Sequence, residues 1–77
     1  MTIDSIKATI LDIIRAEGIC NRVQILCYLS GNIKADDKLN LYFRIVDAFH
    51  ELLAQNTIQS ELIDGHNWYF LVGDLTA

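Results

Sequence analysis

The feature that most constrains the fold is the dipeptide Asp64-Gly65, which lies between two runs of alternating apolar and polar residues. Asp-Gly in this setting is the strongest short-range signal for a β-hairpin with a two-residue type I′ turn. Such a turn pairs Ile63 with His66 and sets the register of every later pair. The sequence therefore predicts an antiparallel hairpin over residues 57–72, approximately.

Strand parity divides this hairpin into two faces, because neighbouring side chains of a strand point to opposite sides. One face receives Ile58, Ser60, Leu62, Tyr69 and Leu71. The other face receives Gln59, Glu61, Ile63, His66, Trp68 and Phe70. A four-residue loop gives the same faces, whereas a three-residue loop would exchange them. Because Trp68, Tyr69 and Phe70 are consecutive, their rings cannot all enter one core.

Three stretches before the hairpin have helical periodicity, at about 2–17, 21–30 and 36–55. In the first, isoleucines recur every three or four residues, and Gly18 is suited to end the helix. In the second, Asn21 and Gln24 have the spacing of a capping box. Four apolar residues of this second helix are predicted to face inward: Val23, Leu26, Cys27 and Leu29.

The third helix is the longest, and Asp36 and Asp37 suit its positive N-terminal end. Its inward stripe is predicted to comprise Leu39, Tyr42, Val46, Phe49 and Leu53, widened by Ile45 and Leu52. The polar stripe is narrow and comprises Asn40, Arg44, Asp47 and Glu51. A helix with so narrow a polar face is expected to be covered on two sides. Asn56 is expected to adopt a left-handed conformation after it.

Three helices followed by a hairpin resemble a winged helix domain. The resemblance is clearest in "VDAFHELLAQNTIQSELIDGHNWYFLV", where Leu52 and Leu53 end the third helix and Tyr69 and Leu71 supply a Tyr-x-Leu on the last strand. It implies a single α+β domain over residues 1–77, with the hairpin as the wing. Winged helix proteins are mostly DNA-binding regulators, with a minority of protein-interaction modules. In the DNA binders the third helix enters the major groove.

The distribution of charge disfavours DNA binding through the usual face. The net charge is −4, and all six lysines and arginines lie at or before Arg44. From Ile45 onwards there are five acids and no base, so this half would repel phosphate. Sequence-specific DNA binding in transcription regulation stays the alternative. Its candidate residues are Lys34, Lys38, Asn40 and Arg44.

The resemblance implies that the face with Tyr69 enters the core, which leaves Trp68 and Phe70 on the outer face near Ile63 and Val72. If exposed, these residues make a patch of several hundred Å², a size that marks binding sites. Alternatively, the first helix or the C-terminal tail of the same chain covers the rings. We expect a protein interface at these four residues, with a homodimer as the simplest assembly.

Reactive groups are sparse, so we expect a non-catalytic protein without metal or cofactor. Cys20, Cys27, His50 and His66 lack the spacing of a zinc site, and there is no phosphate-binding glycine loop. Both cysteines are expected to be reduced packing residues, although Cys20 near a helix N-terminus could have a lowered pKa. No apolar run is long enough to span a membrane and no secretory signal is present, which predicts a cytoplasmic location.

Overall fold

The computed structural model describes residues 2–31 and 34–72. These form three helices, α1 (Ile3–Glu17), α2 (Arg22–Ser30) and α3 (Ala35–Ala54), followed by two strands, β1 (Ile58–Ile63) and β2 (His66–Leu71). The predicted order is confirmed, and this α+β layout is consistent with a three-helix winged helix domain with a C-terminal hairpin. The tail considered above as a cover for the outer rings, residues 73–77, lies outside the described residues.

α1 forms because its isoleucines recur on one face and its ends are capped. Ile6, Ile10 and Ile14 are buried, while Ile3 and Ile13 pack against the same core from its edge. The Thr2 side chain accepts a hydrogen bond from the backbone N–H of Ser5 at 3.1 Å. Gly18 ends the helix with a φ of 90°, and its N–H donates to the carbonyl of Ile14. Glycine adopts this backbone conformation without a steric penalty, which is why the helix stops here.

α2 begins with the predicted capping box. The Asn21 side chain accepts from the N–H of Gln24 at 2.7 Å, and the Gln24 side chain accepts from the N–H of Asn21 at 3.3 Å. The predicted inward face is partly wrong, because Val23 and Cys27 are exposed and Ile25 is buried instead. Apolar residues surround this nine-residue helix, so the spacing alone does not define the buried side.

α3 is also rotated relative to the predicted stripe. Its buried residues are Leu41, Ile45, Ala48, Phe49 and Leu52. Leu39 was expected inside but is 57% exposed. α3 nevertheless packs against both α1 and α2, in agreement with the expectation that it is covered on two sides. Although α3 has 20 residues, no helix within 2–31 and 34–72 is both long and apolar enough to cross a membrane.

The hairpin has the predicted register, from Ile63 opposite His66 to Ile58 opposite Leu71. Asp64 and Gly65 have φ values of 52° and 82°, as a type I′ turn requires. Asn56 also has the predicted positive φ, at 59°.

A second pairing, which the sequence analysis does not predict, joins β2 to the connection between α1 and α2. Cys20 and Tyr69 exchange two backbone hydrogen bonds, of 3.0 and 2.8 Å. β2 therefore lies between β1 and this bridge, which holds the start of α2 beside the hairpin.

The core lies where the three helices meet the inner face of the hairpin. The rings of Phe49 and Tyr69 stack with their centroids 4.2 Å apart. Cys20 and Ile58 are buried beside them in the same cluster as the isoleucines of α1. Tyr69 therefore enters the core from the face that strand parity predicts, and Phe49 fixes which side of α3 is turned inward.

Candidate protein-interaction surface

The outer face of the hairpin carries the four residues that the sequence analysis selects as an interface. The register places Trp68 and Phe70 on the face opposite to Tyr69, as expected. Phe70 is nevertheless only 9% exposed, and Trp68 is partly buried. The expectation that both rings are exposed is wrong, because a single chain already covers them to this extent.

The bridge between Cys20 and Tyr69 explains the partial cover of Trp68. It holds the connection between α1 and α2 alongside β2. As a result, the start of α2 and the outer face of β2 line one groove of about 420 Å³. Its lining residues are Asn21, Val23, Gln24, His66 and Trp68.

The other two members of the predicted interface are separated along the hairpin. Ile63 and Val72 are each 43% exposed. Ile63 adjoins the turn, whereas Val72 follows the last residue of β2. The six residues of this strand span about 20 Å. With Phe70 buried between them, these two side chains do not form one continuous apolar patch.

The structure instead exposes an apolar stripe on α3, comprising Leu39, Phe43 and Val46, which we call the α3 stripe. Leu39 and Phe43 are both 57% exposed, and Val46 is partly buried. Side chains three or four residues apart on a helix are neighbours, so the three form one row. Phe43 is two residues from both Leu41 and Ile45, which turns it about 160° away from these buried side chains. The stripe therefore lies on the solvent side of α3.

Tyr42 connects the α3 stripe to the wing. Its ring packs edge-on against Phe43, with the centroids 6.4 Å apart. Tyr42 also lines a small recess together with His66 and Asn67 at the start of β2. On the inner face of the wing, Leu62 is 68% exposed, because the helices do not cover the hairpin as far as its turn. Apolar surface thus occurs on both α3 and the wing.

Two carboxylates flank the α3 stripe. Asp36 is three residues before Leu39, and Asp47 is four residues after Phe43, so helical geometry places both next to the stripe. Both are exposed. By contrast, Lys38 directly precedes Leu39 and is rotated by about 100° from it. The charges nearest to the apolar row are therefore negative.

The four candidate DNA-binding residues are all exposed, but they do not face one direction. Lys34 is the residue immediately before α3, and Lys38 lies in its first turn. Asn40 and Arg44 are four residues apart and are neighbours on the helix. Asn40 is two residues after Lys38, which separates these two side chains by about 160° around the helix axis. No single side of α3 therefore presents all four residues.

A second groove lies between α1 and α2, with a volume of about 620 Å³. It is lined by Thr9, Asp12, Ile13, Ala16, Glu17, Gln24, Cys27 and Tyr28. Tyr28 is 70% exposed at its edge. The predicted packing role of Cys27 is wrong, because its side chain lies in this open groove rather than in the core.

The two thiols are both free, and they differ in environment. Cys20 is buried, and desolvation together with the nearby charge of Glu17 raises the pKa of its thiol to about 12. The possibility that Cys20 has a lowered pKa is therefore wrong. Burial has a larger effect on this pKa than the helix N-terminus has. The free energy of removing a thiolate from water exceeds the stabilisation that the N-terminus of a short helix provides. Cys20 is a packing residue and part of the bridge to β2.

Phe43 belongs to neither the predicted inward stripe nor the predicted polar stripe of α3, so it was not among the predicted site residues. Leu39 and Phe43 are four residues apart, and this spacing could have indicated a second apolar face. No protein-family model, curated protein or solved structure matches this chain.

Proposed function

We propose that this chain is a small acidic winged helix domain that acts as a non-catalytic protein-interaction module, with the α3 stripe as its principal contact. The observation that carries this proposal is the exposure of Leu39 and Phe43 on the solvent side of the third helix. Contiguous apolar side chains on a surface mark sites where another molecule binds. In a winged helix domain this is also the helix that most often makes the functional contact.

The free energy gained by burying the α3 stripe determines how much further contact a partner must make. Burying a Leu or Phe side chain completely is worth about 1.5–3 kcal/mol, so covering the exposed parts of Leu39 and Phe43 yields about 2–3 kcal/mol before association costs. A stable interface also needs about 800 Å² from each protein. The stripe is therefore an anchor, and the partner also covers neighbouring residues such as Tyr42 and Val46.

Self-association through the α3 stripe is disfavoured by charge. In a twofold dimer both copies offer the same surface. Two α3 stripes facing each other would bring Asp36 and Asp47 from each copy, four carboxylates in all, around one contact. A homodimer through the hairpin stays a prediction, with less accessible apolar surface because Phe70 is buried. A different protein is the better occupant of α3.

A DNA-binding regulator stays the second candidate, because Lys34, Lys38, Asn40 and Arg44 are all exposed. Against it stand the acids beside the α3 stripe and the absence of any lysine or arginine after Arg44 in the sequence. Phosphate contacts position a protein on DNA and supply most of its nonspecific affinity. A cytoplasmic role in gene regulation fits either candidate, and the free thiols favour a reducing compartment.

The proposal is tested by selecting ligands without assuming their sequence. A library of random 16-residue peptides is panned against the full chain, and selected peptides are titrated against Leu39→Ala, Phe43→Ala and the control Tyr28→Ala. We expect the first two variants to weaken binding at least about tenfold, and Tyr28→Ala to change it less than about twofold. Tyr28 is a matched control because it is an exposed aromatic residue on a different helix.

The opposite outcome is equally specific. If no selected peptide depends on Leu39 or Phe43, and the chain is retained on DNA with an affinity that falls steeply between 50 and 200 mM salt, the DNA-binding candidate replaces the proposal. Circular dichroism of each variant establishes that loss of binding does not come from loss of the fold.

A further inference from the structure

The charges beside the α3 stripe specify the chemistry of its partner, if the proposed function is correct. Helical geometry places Asp36 next to Leu39, and Asp47 next to Phe43. These positions are on the same side of α3 as the stripe, whereas Lys38 and Arg44 are each rotated by about 100° from the neighbouring stripe residue. A partner that covers Leu39 and Phe43 therefore approaches two carboxylates at close range.

The wing carries carboxylates of its own. Glu61 on β1 and Asp64 in the turn are exposed. Tyr42 packs against Phe43 and lines the recess that includes His66 and Asn67, so the wing adjoins the α3 stripe on this side. The same recess is also lined by Arg22, so the negative charge that a partner meets at the stripe comes from Asp36 and Asp47 rather than from the wing.

The shape of the stripe favours a helical partner. Leu39, Phe43 and Asp47 are spaced by four residues, and rows of this spacing are the ridges that fit between side chains of a second helix. From Leu39 to Val46 the stripe extends for about 10 Å along α3, which is two turns of helix.

We propose that the partner of the α3 stripe is an amphipathic helix whose apolar row is flanked by lysines or arginines. Leu39 and Phe43 bury the apolar row, while Asp36 and Asp47 pair with the flanking bases. This arrangement selects against acidic helices and against a second copy of this chain by placing like charges together.

Two labelled synthetic peptides test this proposal. Both are helix-forming and share one apolar row of leucines, which is flanked by lysines in one and by glutamates in the other. Their affinities for the full chain are measured by fluorescence anisotropy at 50 and 300 mM NaCl. We expect the lysine peptide to bind about tenfold more tightly at 50 mM. The preference should shrink at 300 mM, because salt screens exposed charges.

Two double variants with the same change in net charge test whether binding of the lysine peptide depends on the carboxylates beside the stripe. Asp36→Asn/Asp47→Asn removes the carboxylates beside the stripe. We expect this double variant to bind the lysine peptide about three- to tenfold more weakly. Asp12→Asn/Glu17→Gln removes two exposed carboxylates on α1 and should change binding less than about twofold. Equal losses in both double variants would mean general attraction to an acidic protein and would overturn the proposal.

The remaining outcomes separate this inference from the proposed function. If both peptides bind equally and Phe43→Ala weakens both, the basic partner is wrong and the α3 contact stands. If the lysine peptide binds but neither Leu39→Ala nor Phe43→Ala weakens it, the contact lies elsewhere and both proposals fail. Failure of both peptides to bind at 1 mM overturns the basic helical partner, while the library selection decides the proposed function on its own.

Discussion

α1 and α3 are both rich in apolar residues, but only α1 directs all of its large apolar side chains to the core or its edge. In α1 the isoleucines point to the core or its edge, and charged side chains occupy the other side. In α3 the apolar residues continue from the buried face around to Leu39 and Phe43 on the solvent side. Packing explains the isoleucines of α1, which lie in the core or at its edge. It does not explain the exposed residues of the α3 stripe, which is why we propose that this side of α3 serves a contact.

The largest expected effect compares two phenylalanines of α3. Phe49 is completely buried against Tyr69, so Phe49→Ala should lower the free energy of unfolding by about 3–5 kcal/mol. Phe43→Ala should lower it by less than about 1 kcal/mol, because more than half of Phe43 is already in water. Urea unfolding followed by circular dichroism measures both values. Similar losses for the two variants would mean that Phe43 is a folding residue, and the contrast between the faces of α3 would disappear.

The buried Cys20 and the exposed Cys27 are expected to differ in how they affect the stability of the fold at alkaline pH. Because burial raises the pKa of the Cys20 thiol from about 9 to about 12, the unfolded chain loses this proton between those values while the folded chain keeps it. The resulting stability is present below pH 9 and is lost as the pH rises towards 12. Burial raises the pKa of Tyr69 as well, which acts in the same direction.

We therefore expect the urea midpoint of the wild type to decrease as the pH rises from 9 towards 12, and Cys20→Ala to show a shallower decrease. Cys27→Ala is the control and should retain the full slope, because its thiol is exposed. At neutral pH, mass spectrometry after iodoacetamide treatment should find Cys27 alkylated first and Cys20 only under denaturing conditions. Equal alkylation rates would contradict the burial of Cys20.

The smallest expected effects concern the N-termini of the same two helices. Thr2 caps α1 through its side chain, so Thr2→Ala should cost about 0.5–2 kcal/mol. At the start of α3, Lys34 makes no capping hydrogen bond with its side chain. Lys34→Asp should therefore stabilise the domain by about 0.5–1 kcal/mol through a new cap and a favourable charge at the helix N-terminus. Thermal unfolding of both variants measures the difference, and a destabilised Lys34→Asp would contradict it.

Features encoded by a few neighbouring residues were predictable from the sequence. The Asp64-Gly65 turn sets the hairpin register, Asn21 and Gln24 form the capping box, and Gly18 ends α1. Each depends on local geometry, which one or two residue types satisfy. The order of elements followed from these signals and from the periodicity of the helices.

Features that depend on how elements pack were not predictable in the same way. Apolar residues at 39, 41, 42, 43, 45 and 46 surround α3, so no single rotation of the helix is favoured by its spacing alone. Strand parity correctly separates Phe70 from Tyr69, but parity does not say whether the same chain covers the outer face. The Cys20–Tyr69 bridge, which holds α2 beside β2, has no signature in the sequence.

The most direct test of the central claim is to map where a selected peptide binds. Amide chemical-shift changes are recorded by NMR on the ¹⁵N-labelled chain during titration with a peptide from the random library. We predict that the largest changes occur over residues 36–47 of α3 and that Phe43→Ala abolishes them at the same peptide concentration. Changes concentrated at Ile63 to Val72 instead, with α3 unaffected, would contradict the account and return the interface to the outer face of the hairpin.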